Sequence, residues 1–318
     1  MATQAPPELE AQYRLLRERV GFLEQAGGHV VVSGPDAVDF LQDQVSNDVA
    51  ALEPGLGCQA LLLNPKGRIL ADLRVLMLDP QELRIDTDSG ALETVVASLT
   101  MYKIGRQVDV AQDSGRRTIA LIGPRAPEVS PLRPPEREHA LVRGELGGAD
   151  LIAVTTATGV DLLYAGDLAA LEDAIRARGA EPVSAEAAEV IRIELGRPAH
   201  GLDMSADNLP GELGLEQRAV SFTKGCYVGQ EPVARMHHRG HPNRLLRGLR
   251  LADPVEPGTP LLAGERQIGT VTSACVSPAL GPIALALVRR EVDPGAAVST
   301  GDGGGRATVV ELPFERDE

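Results

Sequence analysis

The stretch Lys224-Gly225-Cys226-Tyr227-Val228-Gly229-Gln230-Glu231 sets a lone thiol beside a cation, between two glycines and ahead of a helix. A cysteine attacks or ligates as its thiolate, and a nearby lysine or a helix N-terminus lowers the thiol pKa. Gly225 and Gly229 let the backbone turn tightly and leave the sulfur uncrowded. Alone, the stretch reads as a reactive or ligand cysteine in a tight loop, or as a structural thiol in a turn. Lys224 reads either as its activator or as one more surface cation. The rest of the chain must supply the substrate.

That chain, at 318 residues, is long enough for a sizeable core and two domains. Hydrophobic residues at 43% and charged residues at 24% describe an ordinary soluble globular protein. The excess of 45 acidic over 31 basic residues, a net charge of −14, opposes broad nucleic-acid binding, which needs a positive field. A local run from Arg235 to Arg250 is rich in Arg and His, yet direct tRNA binding is not expected against that balance. Cys58, Cys226 and Cys275 are far apart with no CxxC pair, so neither a disulfide framework nor a self-contained zinc site is expected. The N-terminus lacks a basic region followed by an apolar one, and no apolar run approaches the roughly 20 residues that span a bilayer. A soluble protein of the reducing cytoplasm is the expectation.

Working outward from the cysteine stretch, Leu9, Tyr13, Leu16 and Val20 have helical spacing, and the β-branched run at His29 breaks at Gly34-Pro35 into a second helical pattern. The unit Val31–Ala37 (VVSGPDA) recurs as Ala120–Ala126 (ALIGPRA), with a looser third copy from Val160, which suggests a duplicated α+β core. Between the copies, apolar runs 58–63 and 69–78 flank the turn Asn64-Pro65-Lys66-Gly67, Leu83–Thr87 continues the sheet, and 91–101 is helical. Ser184 caps a helix that ends at Gly196-Arg197-Pro198. From Arg244 the chain turns into short strands at 247–251, 260–262, 267–274, 283–288 and 307–310, the pattern of a small β-barrel or sandwich. The expected division is an extension over 1–28, a main domain over 29–242 and a barrel over 243–318. Gly301–Gly305 reads as a hairpin tip, not a phosphate loop, because it lacks the Lys-Ser/Thr ending and a following helix.

No Walker A, strand-linked GxGxxG, GxSxG or HExxH pattern is present, which removes most nucleotide-dependent and hydrolase readings. His237, His238 and His241 lack a Cys or carboxylate at ligand spacing, so no metal site is expected. Cys58 and Cys275 sit inside apolar strands as small hydrophobes. Asp72 and Arg74 alternate with Ile69, Ala71, Leu73 and Val75 and share the opposite strand face, where they form a solvent-facing pair or line a ligand channel. Glu194 follows Arg192 on the helix before Gly196. Residue chemistry alone does not raise Asp72 or Glu194 above the chain's other acids.

The stretch 224–231 resembles the signature of the YgfZ-type folate-binding proteins, which belong to the superfamily of the glycine-cleavage T-protein (aminomethyltransferase). The likeness extends to Phe40–Val49, Leu62–Leu73, Arg192–Pro198, Gly201–Asp203, Ser221–Cys226 and the ending Ala284–Arg289 through Phe314, in family order. It implies α+β subdomains around a central folate-binding channel, plus a small C-terminal β-barrel. It also implies tetrahydrofolate or a derivative as cofactor, with Asp72 facing its reactive nitrogens and Glu194 bonding the pterin ring. A carboxylate suits an aminopyrimidine edge because it accepts two parallel N–H bonds. Aminomethyltransferases do not carry the cysteine signature. The implied role is therefore a folate-dependent accessory protein for assembly or repair of iron–sulfur clusters in client enzymes, including those of tRNA modification.

In that role Cys226 is the working thiol and Lys224 its activator; Cys226 could ligate a transient cluster, exchange thiols or accept a damaged adduct. A single cysteine cannot hold a cluster, since ligation by four is usual, so a partner or second subunit must add ligands. The alternative is a tetrahydrofolate-dependent aminomethyltransferase or demethylase, which needs Asp72 and folate but not Cys226.

Overall fold

Two strand–Gly-Pro–helix units organise the structure, a computed structural model that describes residues 5–301 and 304–315. A leading helix α1 (Pro7–Glu18) and strand β1 (Gly21–Gln25) precede the first unit. There β2 (Gly27–Ser33) turns at Gly34-Pro35 into α2 (Ala37–Gln44), followed by β3 (Leu56–Leu63), β4 (Ile69–Asp79), β5 (Glu82–Asp88), α3 (Leu92–Tyr102) and β6 (Asp109–Gln112). The second half repeats the order: β7 (Arg117–Ile122), α4 (Ala126–Val129), β8 (Leu141–Leu146), β9 (Ala149–Thr156), β10 (Gly159–Tyr164), α5 (Leu168–Arg176) and β11 (Glu181–Pro182). The first sheet runs β3-β4-β5-β2-β6 and the second β8-β9-β10-β7-β1-β11. Beside β7, the early strand β1 takes the place that β6 holds beside β2, antiparallel in both cases.

The duplication read from the Gly-Pro repeat is thus a repeat of topology. Gly34 and Gly123 carry φ of 124° and 129°, and a Cβ on either would run into a carbonyl oxygen, that of Gln107 or of Arg19. Glycine is required at both turns for one reason. The looser copy at Val160 needs correction. It is β10 leading into α5, the counterpart of β5 leading into α3, and so closes the second half without starting a third.

The remaining elements are α6 (Ala185–Glu194), α7 (Glu216–Ala219), α8 (Gln230–Arg239) and the strands β12 (Arg244–Leu251), β13 (Pro260–Ala263), β14 (Arg266–Ser277), β15 (Gly281–Arg289), β16 (Ala297–Thr300) and β17 (Gly305–Val310). The Ser184 hydroxyl caps α6 by accepting from Ala187 N, as its position foretold. Strands β12-β15-β14-β13-β16-β17 close a barrel around Leu249, Leu261, Val271, Ala286 and Val309. The sequence pattern left barrel or sandwich open and missed β16, which is only four residues long. Asp302 and Gly303 of the expected hairpin tip lie outside the described residues.

The chain forms two compact units, one of Leu15–Val183 with Glu216–Ala234, the other of residues up to Arg14, Ser184–Leu215 and residues from Arg235. In the first unit one face of β4 supplies Ala71, Leu73 and Val75 to a core with Val30, Phe40, Leu83, Ile85 and Leu99. The other face meets the second sheet. Leu76 packs with Leu141, Ile152, Val154 and Leu163, and Arg74 reaches Asp161 at 2.6 Å and Asp86 at 2.7 Å. His29 Nδ1 lies 2.8 Å from Asp86 and its Nε2 3.3 Å from the Thr118 hydroxyl. Burial works against the Asp86 carboxylate, but Arg74 and His29 outweigh it and hold Asp86 below the usual carboxylate range. Burial raises Asp161 despite Arg74. Among the described residues no helix is long and apolar enough to cross a membrane.

Cys58 in β3 and Cys275 in β14 are largely enclosed, and burial pushes each thiol from 9.0 up to about 12, with Glu194 adding to the rise at Cys275. A raised folded value means stability that is complete below pH 9.0 and lost as the pH climbs toward 12. Each thiol then removes roughly 1.4 kcal/mol per pH unit in that window. Denaturant unfolding at about pH 8 and about pH 10.5 should show a steeper loss for wild type than for a Cys58→Ala/Cys275→Ala double variant. Equal losses would contradict this account.

Candidate functional site

Asp72 stands on the β4 face that looks toward the second sheet, not on a solvent-facing pair: Arg74 beside it is mostly enclosed and held in the Asp86–Asp161 network. Strand pairing places Leu61 opposite Asp72 and Gln59 opposite Arg74, so all four share that face. The Gln59 side-chain amide donates to both carboxylate oxygens of Asp72, at 2.9 and 3.0 Å. Arg218 Nε donates in turn to Gln59 Oε1 at 3.3 Å, and its NH2 to Glu138 at 2.9 Å. Gln59 and Arg218 have no motif value in the sequence. The only signal for Gln59 was its parity with Leu61 on a strand next to Asp72.

The 224–231 loop is seated on the Asn64–Gly67 turn. Asn64 Oδ1 accepts from the backbone N–H groups of Lys66 and Arg68, which tightens the turn. Gly67 and Gly229 have φ of 74° and 82°. A Cβ on Gly229 would lie 2.5 Å from Asn64 O, and one on Gly67 would lie 3.1 Å from Pro232 Cβ. Two stretches singled out separately in the sequence are thus brought together by paired glycines. Gly225 has no such constraint; nothing lies within 4 Å of where its Cβ would be.

Cys226 is exposed at this loop, four residues before α8 begins. Lys224 is buried, and its ammonium donates to the carbonyls of Gln42, Val45 and Asn47 at 2.5, 2.7 and 2.8 Å. Those oxygens belong to the end of α2 and the segment after it, where a cation suits unpaired carbonyls and the helix dipole. The Tyr227 ring also lies 5.1 Å from Nζ. An ammonium has three donors, and all three are committed here. The activator role expected for Lys224 is corrected accordingly: it anchors the loop and has no N–H left for the thiolate. Burial lowers its value to about 8, while Asp48 and Asp43 act to raise it.

In the other unit, Glu194 ends α6 and is buried, accepting from the Tyr13 hydroxyl at 3.2 Å and the Ser277 hydroxyl at 2.5 Å. Arg192, two residues earlier on the same helix, bonds Glu189, Asp203 and the Ser273 hydroxyl. Asp203 also accepts from Ala199 N, Thr272 and Ser273, so this pair ties α6 and the 199–203 loop to β14. Arg192 and Asp203 are structural anchors that tie the stretches Arg192–Pro198 and Gly201–Asp203 to each other. Asp72, Lys224 and Cys226 belong to one unit and Glu194 to the other. Among the described residues, no group of three or more His, Cys, Asp or Glu side chains could hold a metal ion.

Family models match at both ends of the chain: the GCVT N-terminal domain over residues 3–132 and the glycine cleavage T-protein C-terminal barrel domain over residues 244–315. An aminomethyltransferase of Exiguobacterium sibiricum is 30% identical, covering 89% of this chain and 82% of its own. One of Moorella thermoacetica is 32% identical, covering 91% and 84%. The crystal structure of glycine cleavage system aminomethyltransferase T from Bartonella henselae superposes with a TM-score of 0.88 at 24% identity, covering 98% of this chain and 91% of that one. The likeness to that structure covers both the α/β region and the closed six-stranded barrel of this chain. The chain belongs to the glycine-cleavage T-protein (aminomethyltransferase) family.

Proposed function

We propose that this protein binds tetrahydrofolate or a derivative and serves the assembly or repair of iron–sulfur clusters in client enzymes, including those that modify tRNA, through Cys226. The observation that carries the second part is an exposed thiol on an anchored loop: Lys224 fixes one end and Gly229 the other. A sulfur so presented suits contact with a partner, which must supply the remaining cluster ligands. Folate binding is supported by the family and by carboxylate chemistry. Asp72 is assigned to the folate nitrogens and Glu194 to the pterin ring; both are acceptors, and the aminopyrimidine edge donates. Bound tetrahydrofolate supplies nitrogens that carry a one-carbon unit. In cells carrying Cys226→Ala, the activities of aconitase-like and methylthiotransferase enzymes should fall together while folate binding by the purified variant is unchanged. Normal activities of both client classes would refute the role given to Cys226.

A second reading, a tetrahydrofolate-dependent aminomethyltransferase or demethylase, is favoured by the relatives' names and by the clamped carboxylate of Asp72. It requires methylene-tetrahydrofolate formation from methylamine-type donors that is lost in Asp72→Ala and kept in Cys226→Ala.

A further inference from the structure

We infer that Gln59 is a positioning residue for Asp72, held in one amide orientation by Arg218, itself paired with Glu138, and that this relay fixes the Asp72 carboxylate in plane. The inference deepens the folate reading above and rests on it for its functional meaning, but the relay itself is a matter of hydrogen bonds.

A glutamine amide can present either its oxygen or its nitrogen to a neighbour, and the network decides which. A carboxylate is acceptor-only when ionised, so Asp72 requires the nitrogen of Gln59. Arg218 is donor-only and requires the oxygen. The observed contacts satisfy both at once: Gln59 Nε2 lies 2.9 and 3.0 Å from the two Asp72 oxygens, and Gln59 Oε1 lies 3.3 Å from Arg218 Nε. The backbone is tied at the same place. Asn47 Nδ2 donates to Gln59 O at 2.7 Å and to Arg218 O at 3.1 Å, linking β3 to α7 beside the side-chain contact.

The outer pair, Arg218 with Glu138, is more than a third exposed on each side. Such a pair adds little stability. Its geometric effect is larger, because the guanidinium fixes the end of Gln59 that would otherwise turn. Charged groups on the same strand face are Arg74 with its partners Asp86 and Asp161, and His29 beyond them. Hydrogen bonds donated to an ionised carboxylate favour that form, so loss of the amide should raise the Asp72 pKa.

The test is a carbon-13 NMR titration of the Asp72 carboxyl in the full chain without folate, compared among wild type, Gln59→Leu and Arg218→Ala. An upward shift on the order of one pH unit is expected in Gln59→Leu, with a smaller shift of the same sign in Arg218→Ala. Gln59→Asn, which keeps the amide but shortens the reach, should fall between wild type and Gln59→Leu. Should Gln59→Leu not fold, Arg218→Ala at the exposed end keeps the comparison decisive. An unmoved Asp72 titration in the folded variants overturns the relay whatever folate does.

Tetrahydrofolate affinity measured against pH separates the two claims. If Asp72 faces folate, the acidic limb of binding moves upward in Gln59→Leu in step with the NMR value, and affinity recovers at higher pH. A shifted titration together with an unmoved binding profile supports the relay and overturns the folate assignment of Asp72.

Discussion

Asp72→Asn is expected to weaken tetrahydrofolate binding by roughly tenfold to a hundredfold, the worth of one or two charge-assisted hydrogen bonds. The change is nearly isosteric, and the Asn oxygen still accepts from the Gln59 amide that now contacts Asp72 at 2.9 Å. The fold should therefore be retained, and melting should move little. If the chain also turns over a one-carbon donor, turnover should fall by about a further hundredfold or more, the usual contribution of a positioned acid–base group. Equilibrium titration with tetrahydrofolate, together with product formation from methylamine-type donors, reads both effects. Affinity within about twofold of wild type, less than one such bond contributes, would remove Asp72 from the ligand.

Lys224→Met should be the most destabilising single change in the cysteine stretch. It keeps the length of the apolar stem and removes the ammonium that serves Gln42, Val45 and Asn47. Leaving buried carbonyls without a donor costs about 1–3 kcal/mol each, and partial relaxation brings the expected loss to roughly 3–5 kcal/mol. Arginine will not rescue it, since a planar fork cannot direct three N–H groups from one point onto three converging oxygens. Cys226→Ser, two residues away and exposed, should change stability by less than about 0.5 kcal/mol. Denaturant unfolding of the two variants side by side tests the division of labour. A Lys224→Met protein as stable as wild type would refute the anchor.

What the sequence disclosed follows from what is local. Period-two alternation placed Ala71, Leu73 and Val75 in the core and Asp72 and Arg74 on the opposite face, because side chains of a strand have no other choice. The Ser184 cap, the Asn64–Gly67 turn and the Gly-Pro repeats were legible for the same reason: each is a backbone requirement met by neighbouring residues. Lys224 was misread because proximity in sequence to Cys226 suggested a partner, while the true partners lie about 180 residues earlier. Gln59 and Arg218 were invisible because their value comes from a β3–α7 contact that no spacing encodes. Strand β16 was missed because Ala297–Thr300 is too short to show a period.

The exchange of β1 for a β6-like strand has a consequence for the order in which the chain can mature. The first sheet is complete once Gln112 has been synthesised, since all five of its strands are then available. Strand β1 is made before any of them, yet its antiparallel partner β7 begins at Arg117 and its parallel neighbour β11 at Glu181. A nascent chain therefore holds an early strand in reserve while an entire half-domain forms behind it. Such long-range pairing is slow, and an unpaired strand is an open invitation to aggregation. The chain's earliest strand thus waits for β7, the first strand made after the first sheet is complete, and gains its second neighbour only when β11 follows.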